Sequence, residues 1–198
     1  EALKGKRVGV ARGTGSETFW LSVVAKLNLN PADYTIVNVE APEMVAALER
    51  GNIDAFAVWE PWPTRAMRAI PNTRILVSND QIQIVRNFVY MNKAWAEGNA
   101  DTTQRFLRSL IQAQEFIASN PTEAAAQVAR FLRQDRAFIA DLMTKVEYKM
   151  NLTADSVANI QLAIDQLRGM NRLSRDVTPA QVIWSAPLAA AAAGRVMI

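Results

Sequence analysis

The first eighty residues alternate between strand-like and helix-like segments, and this alternation restricts the possible fold more than any other feature. The predicted strands cover 7–11, 35–39, 53–58 and 74–77, and the predicted helices between them cover 18–27, 42–49 and 61–68. This order is typical of an α/β fold with a mostly parallel sheet and right-handed crossovers. In such a sheet, ligands bind beyond the carboxyl ends of the strands, where helices begin.

The pattern changes after residue 80. A long run over 81–91 alternates polar and apolar residues and is predicted to be extended. The remainder is mainly helical in pattern, with predicted helices over 101–119, 121–132, 136–145 and 154–170, a short strand over 146–150 and an irregular tail over 174–198. These helices have apolar faces but almost no sheet of their own. We therefore expect that part of their lobe is absent from this chain.

Three segments follow from these patterns. We expect an α/β ligand-binding lobe over 1–82, an extended crossover or hinge over 83–91, and a mainly helical portion of another lobe over 92–198. The start of the chain has no features of a signal peptide, and it lacks an initiator methionine, so we expect residue 1 to be a processing boundary.

The 198-residue chain contains neither cysteine nor histidine. This composition excludes zinc sites built on those residues, cysteine nucleophiles and serine–histidine pairs. Carboxylate, lysine and tyrosine chemistry remain, but no two carboxylates are spaced like an acid/base pair. We therefore expect no enzymatic activity, no metal site and no cofactor.

The formal net charge is +3, and the basic residues are scattered along the chain. Basic runs such as 130–133 have the pattern of a solvated helix face. No stripe of lysine or arginine alternates with aromatic residues, so a nucleic-acid partner is not expected.

A glycine-rich turn follows the first predicted strand and opens a helix. It contains Thr14, Gly15, Ser16 and Glu17. Glycines let the backbone approach a ligand, and the first helical N–H groups together with the helix dipole favour an anion. The competing interpretation is a plain strand-to-helix turn in which Ser16 is the N-cap.

A second candidate motif, Trp59-Glu60-Pro61, follows the third predicted strand. Trp59 can form an apolar wall of a pocket, and Glu60 can accept hydrogen bonds from a ligand. The alternative is that Trp59 fills the core and Glu60 is a first-turn acid favoured by the helix dipole. Because both motifs follow parallel strands, we expect them at the same edge of the sheet.

Arg86 in the extended run is the third candidate. Its guanidinium group can clamp an anion through two parallel hydrogen bonds. A surface or interlobe salt bridge is the competing interpretation, and the sequence favours it over the clamp.

Several segments resemble one family of binding proteins. Residues 3–10 (LKGKRVGV) and 13–16 (GTGS) are similar to the opening of the second lobe of nitrate, sulfonate and taurine binding proteins. Residues 46–55 (AALERGNIDA), the Trp59 motif and 119–124 (SNPTEA) resemble further segments of that family, in the same order.

This resemblance implies a type II periplasmic-binding-protein fold, with one complete α/β lobe and a helical part of the other. It implies a periplasmic solute receptor of an ABC importer, which captures a small anion such as a sulfonate, taurine or nitrate between its lobes and delivers it to the transmembrane permease. The opening strands of the first lobe would be absent here. By carry-over, Gly15, Ser16, Glu17, Trp59 and Glu60 would face the ligand.

Two other functions share this fold. A thiamine-pyrimidine synthase resembles the chain in fold but relies on histidine and cysteine, which this sequence lacks. A ligand-sensing domain of a regulator or chemoreceptor is the alternative that remains. The identity of the anion is open, and Glu60 favours a ligand that also carries a donor or positive group.

Overall fold

A computed structural model describes residues 3–82 and 85–198 of the protein. The chain divides into two compact units, Glu1–Val85 and Arg86–Ile198.

The first unit is built on a parallel three-stranded sheet in the order β2-β1-β3. Its strands are β1 (Arg7–Val10), β2 (Thr35–Asn38) and β3 (Ala55–Ala57). Its helices are α1 (Gly15–Lys26), α2 (Met44–Glu49), α3 (Trp62–Ala69) and α4 (Asn79–Ile82), with 3-10 turns at Pro31–Asp33 and Ala41–Glu43. The predicted alternation and the parallel sheet are confirmed, because each crossover between these strands contains a helix or helical turn.

The core of this unit lies between β1 and α1. Val8 and Val10 point into it from the central strand, and Trp20 and Ala57 complete the buried cluster. The ring of Trp20 meets Tyr34 edge-on, with 5.2 Å between ring centroids. An aromatic pair in this geometry adds to the stabilisation from apolar burial. The packing fixes the start of α1 against the sheet.

The predicted strand over 74–77 is wrong. These residues form no strand, and the sheet within the described residues has three strands. Ile75 and Leu76 remain about half exposed. The segment is apolar and contains the β-branched residues Ile75 and Val77, which favour a strand, but a strand also needs a neighbour with which to pair.

The second unit consists mostly of helices. They are α5 (Lys93–Gly98), α6 (Ala100–Ser119), α7 (Pro121–Leu132), α8 (Arg136–Thr144), α9 (Ala154–Gly169), α10 (Pro179–Val182) and α11 (Ala186–Ala191), with a 3-10 turn at Ala193–Arg195. The bounds predicted for α7 are confirmed: Pro121 occupies the first turn, where its missing N–H is not needed. Helix α5 was not predicted. Nowhere in residues 3–82 and 85–198 is a helix both long and apolar enough to cross a membrane.

Helices α7 and α8 form a tightly packed hairpin. Ala125 and Ala129 of α7 pack against Phe138 and Ile139 of α8, and all four are buried. The side chain of Asp135 caps α8 by accepting the Phe138 N–H at 2.7 Å. The connection between the two helices is therefore short and well defined.

A small parallel pair of strands closes this unit, β4 (Leu152–Thr153) and β5 (Val196–Met197). The predicted strand over 146–150 is wrong, because strand pairing occurs two residues later. Arg195, next to β5, donates to the Met150 carbonyl at 3.3 Å and to Gln114 of α6 at 2.9 Å. These bonds hold the C-terminal segment against α6.

The predicted extended run over 81–91 is corrected in part. Gln81 and Ile82 are the last residues of α4, so the run does not begin as extended chain. Gln83 and Ile84 lie outside the described residues, and 85–92 form neither helix nor strand.

Candidate functional site

The carboxyl ends of the three strands in the first unit lie at one edge of the sheet, because all three strands run parallel. Two hydrogen bonds tie the segments together there. The Arg12 N–H, just after β1, donates to Asn38 Oδ1 at the end of β2 at 3.1 Å. The Ser16 hydroxyl of α1 donates to the Ala57 carbonyl at the end of β3. The prediction that the glycine turn and the Trp59 motif share an edge is confirmed.

The N-cap of α1 is Thr14 and not Ser16, which corrects the competing interpretation of the turn. Thr14 Oγ1 accepts the Ser16 N–H at 3.2 Å and donates to the Ala11 carbonyl at 2.7 Å. One hydroxyl thus caps the helix and closes the turn that leads into it.

Ser16 is a structural connector at the base of the site. It is 1% exposed, and its Oγ accepts the Ala11 N–H at 2.9 Å while donating to Ala57. Its single donor is therefore used within the protein. Ser16 positions the turn relative to β3.

Glu17 bonds back to the glycine turn. Its Oε2 accepts the Gly13 N–H at 2.8 Å. Gly13 has φ of 75°, a left-handed conformation that favours glycine. The carboxylate thus occupies one backbone donor of the turn and adds negative charge at the start of α1.

Open space lies over Gly15, the first residue of α1. A methyl group built on its Cα would meet no atom within 4 Å. Within the described residues, the Gly15 N–H has no hydrogen-bond acceptor. Such an N–H group at the positive end of a twelve-residue helix can bind an anion.

Trp59 and Glu60 differ in their surroundings. The side chain of Trp59 is 48% exposed at the end of β3, so it does not fill the core. The Glu60 carboxylate accepts the Thr64 N–H at 3.2 Å and the Thr64 hydroxyl at 2.9 Å. Thr64 is buried, and Glu60 therefore holds the first turn of α3 in place. The indole of Trp62 in that turn is covered by Arg65, at 4.8 Å from the ring centroid.

Arg86 belongs to the second unit and forms ion pairs there. Its guanidinium nitrogens lie 3.6 Å from Glu147 and 3.4 Å from Asp155, and its backbone N–H donates to Asn159 at 3.3 Å. Lys149 chiefly, and Arg86 as well, lower the pKa of Glu147, which keeps that partner ionised. Arg86 Nε is buried without an acceptor in the described part of the chain. The observed geometry is thus a salt bridge, as the competing interpretation expected. Both acidic partners lie in the same unit as Arg86.

Two residues that shape the site, Asn38 and Thr64, were not among the predicted candidates. Asn38 ends β2, so the rule that ligand sites gather at carboxyl ends could have indicated it. Thr64 follows Glu60 by four residues, one turn along a helix, which is a readable spacing. Among residues 3–82 and 85–198, no group of three or more acidic side chains is arranged to hold a metal ion.

The fold is that of periplasmic binding proteins. The aliphatic sulphonate binding protein SsuA from Escherichia coli superposes with a TM-score of 0.79 at 22% identity, over 92% of this chain and 63% of that chain. A ligand-binding component of an ABC-type import system from Staphylococcus aureus superposes with a TM-score of 0.71 at 13% identity, over 96% of this chain and 64% of that chain. The expected α/β periplasmic-binding fold is confirmed.

Residues 1–133 match the sequence profile of the NMT1-like family, and the chain belongs to this family. The taurine-binding periplasmic protein of Escherichia coli is 28% identical over 126 residues, which are 61% of this chain and 38% of that protein. The chain spans about half the length of the Brucella relatives it matches. These relatives are named as binding proteins and not as enzymes. The predicted family, the nitrate, sulfonate and taurine binding proteins, is confirmed.

Proposed function

We propose that this protein is the solute-binding component of an ABC importer for a small anion, with a sulfonate, taurine or nitrate as the leading candidates. Family membership and the names of the relatives support this function. They give less support to the alternative of a ligand-sensing domain. In this function the protein works outside the cytoplasm, and its macromolecular partner is the transmembrane permease.

The observation that carries the proposal is the open N-terminus of α1 at the carboxyl edge of the sheet. The Gly15 N–H has no acceptor among the described residues, there is room for a side chain on its Cα, and the exposed indole of Trp59 follows the adjacent strand. A backbone donor and a helix dipole suit the anionic group of the ligand. An aromatic surface suits an apolar substituent.

The named residues have different roles in this proposal. Thr14 and Gly15 present the backbone around the anion, and Trp59 forms the apolar wall. Ser16 and Glu60 brace the turn and α3, since their polar atoms bond to other parts of the protein. Glu17 sets the charge beside the anion.

We propose that residues 1–82 form one ligand-binding lobe, that 83–91 act as the hinge, and that 92–198 belong to the opposing lobe. Arg86 lies in the hinge segment. A role in clamping the anion would require its guanidinium to leave Glu147 and Asp155.

A thermal-shift screen of the protein as encoded tests the function. The panel contains taurine, short alkanesulfonates, nitrate, bicarbonate and pyrimidine amines. A ligand at a hundred times its dissociation constant stabilises a protein by about 2.7 kcal/mol, which raises the unfolding midpoint measurably. Stabilisation by one class of anion supports the receptor function and identifies its solute, whereas no response to any compound contradicts it.

The same screen on Trp59→Ala tests the proposed site. We expect the midpoint without ligand to change little, because half of this side chain is exposed, and the ligand-induced shift to shrink strongly. A full ligand-induced shift in Trp59→Ala would place the binding site elsewhere.

A further inference from the structure

The tip of the α7–α8 hairpin exposes apolar side chains at its outermost point. Phe131, in the last turn of α7, is 85% exposed, and the adjacent Leu132 is 50% exposed. Neighbouring apolar side chains that are exposed together form a patch, and such a patch can mark an interaction site. The buried helix contacts at Ala129 and Phe138 hold the tip in a defined shape.

Three arginines surround this apolar point. Arg130, Arg133 and Arg136 are all exposed, and none of them forms an ion pair with a residue the structure describes. The acidic residue at the tip, Asp135, is engaged in capping α8. The tip thus combines a projecting aromatic ring with a net positive charge.

Arg133 occupies an unusual backbone position. Its φ is 52°, in the left-handed region at the end of α7, where glycine is the favoured residue. An arginine there costs conformational energy relative to glycine and adds a positive charge next to Phe131. Glycine can replace it without disturbing the backbone, which provides a clean way to remove the charge.

We propose that this tip binds the surface of a membrane that contains anionic phospholipids. Guanidinium groups pair with phosphates through parallel hydrogen bonds, and an exposed aromatic ring inserts at the level of the headgroups. The tip consists of the seven residues 130–136. It is too small for a stable protein interface, which buries roughly 800 Å² on each partner. A lipid surface needs no matching shape, and each basic residue near it contributes separately.

Sedimentation with vesicles tests this inference on the protein as encoded. We compare vesicles of equal parts phosphatidylglycerol and phosphatidylcholine with vesicles of phosphatidylcholine alone. The protein is expected to bind the anionic vesicles, and added salt is expected to release it. Arg133→Gly and Arg130→Gln should each lower the partition coefficient about fivefold, and Phe131→Ser should lower it roughly tenfold.

Two matched variants in the second unit control for charge and exposure. Arg108→Gln removes an exposed arginine from α6, and Tyr90→Ser removes a side chain that is 87% exposed. Both should bind vesicles as the unchanged protein does. Equal losses in these controls and in the tip variants would mean that the tip has no special role and would overturn the inference.

Other outcomes would also overturn it. One is equal binding, or no binding, to the two kinds of vesicle. A fall in the unfolding midpoint of Phe131→Ser would show that another part of the polypeptide covers the ring. The tip variants are also tested for binding to polyglutamate. If they lose this binding but still bind vesicles as the unchanged protein does, the tip is a surface for acidic proteins instead. None of these results depends on the solute, so the inference can fail while the proposed function stands.

Discussion

The Ser16 hydroxyl of α1 connects its helix to the residue after β1 and to the last residue of β3. It accepts from the Ala11 N–H after β1 and donates to the Ala57 carbonyl of β3, 41 residues away. Local sequence indicates a capping role for a serine at a helix start, but it contains no information about the contact with β3. The correction from cap to connector therefore required the tertiary structure.

Replacing Ser16 by alanine should destabilise the first unit. The Ala11 N–H and the Ala57 carbonyl would lose a partner in a buried setting, which costs about 1–3 kcal/mol for each unsatisfied group. Chemical denaturation measures the loss in free energy of unfolding. Ser22→Ala is the matched control, since the Ser22 hydroxyl donates to the Thr18 carbonyl within its own helix. Equal stability of the two variants would contradict the connector role.

Glu17 lies where an anion would bind, and its carboxylate already occupies the Gly13 N–H. Glu17→Gln keeps an oxygen acceptor for that donor but removes the negative charge. We expect affinity for an anion to rise about fivefold, because one like charge beside the ligand is removed. Titration calorimetry at low salt measures the change. Glu49→Gln, at the end of α2, is the control, and weaker binding by Glu17→Gln would contradict this role.

At the scale of elements, β1 and β3 are also joined at the edge opposite the site. Asp54, just before β3, accepts from the Arg7 backbone N–H at 2.8 Å and from two guanidinium nitrogens at 3.0 Å. These hydrogen bonds lower the pKa of Asp54 from 3.8 to about 2. The ionised carboxylate therefore stabilises the start of the sheet.

This ion pair gives stability that depends on pH. Because the pKa is lower in the folded state, the contribution is fully present above the unfolded pKa of 3.8 and is lost as pH falls towards 2. Asp54→Asn should lower the unfolding midpoint at neutral pH, and the difference from the unchanged protein should close over this range. Thermal unfolding at several pH values measures it. A difference at pH 2 as large as the difference at neutral pH would contradict this linkage.

Local patterns predicted elements well where the residues themselves determine the structure. Helix α7 has Pro121 at its start and a clear helical spacing, and its predicted bounds agree with the structure. The segments at 74–77 and 146–150 have strand-like composition, but strand formation depends on a partner elsewhere in the chain. Strand β4 pairs with β5 near the C-terminus, a contact that local alternation cannot indicate.

At the scale of the whole molecule, the sequence was sufficient for the fold and the family. The alternating pattern predicted the parallel sheet, and the sheet direction placed both candidate motifs at one edge. What each side chain does there depended on hydrogen bonds that only the folded chain contains. Glu60, predicted to contact a ligand, bonds to Thr64 in the folded chain, a contact that the sequence did not indicate.

A substitution at Gly15 distinguishes an anion site at the start of α1 from a site elsewhere. Gly15→Ala places a methyl group in the open space where the anion is proposed to bind, and this group meets no protein atom within 4 Å. The measurement is calorimetric titration of taurine, an alkanesulfonate and nitrate into the protein as encoded, this variant and the control Gly98→Ala. The control methyl group also meets no atom within 4 Å.

We expect the unchanged protein and Gly98→Ala to bind one of these anions with the same affinity. We expect Gly15→Ala to be at least as stable as the unchanged protein, because alanine reduces the freedom of the unfolded chain, and to lose most of that affinity. Equal affinity in Gly15→Ala would contradict an anion site at the start of α1.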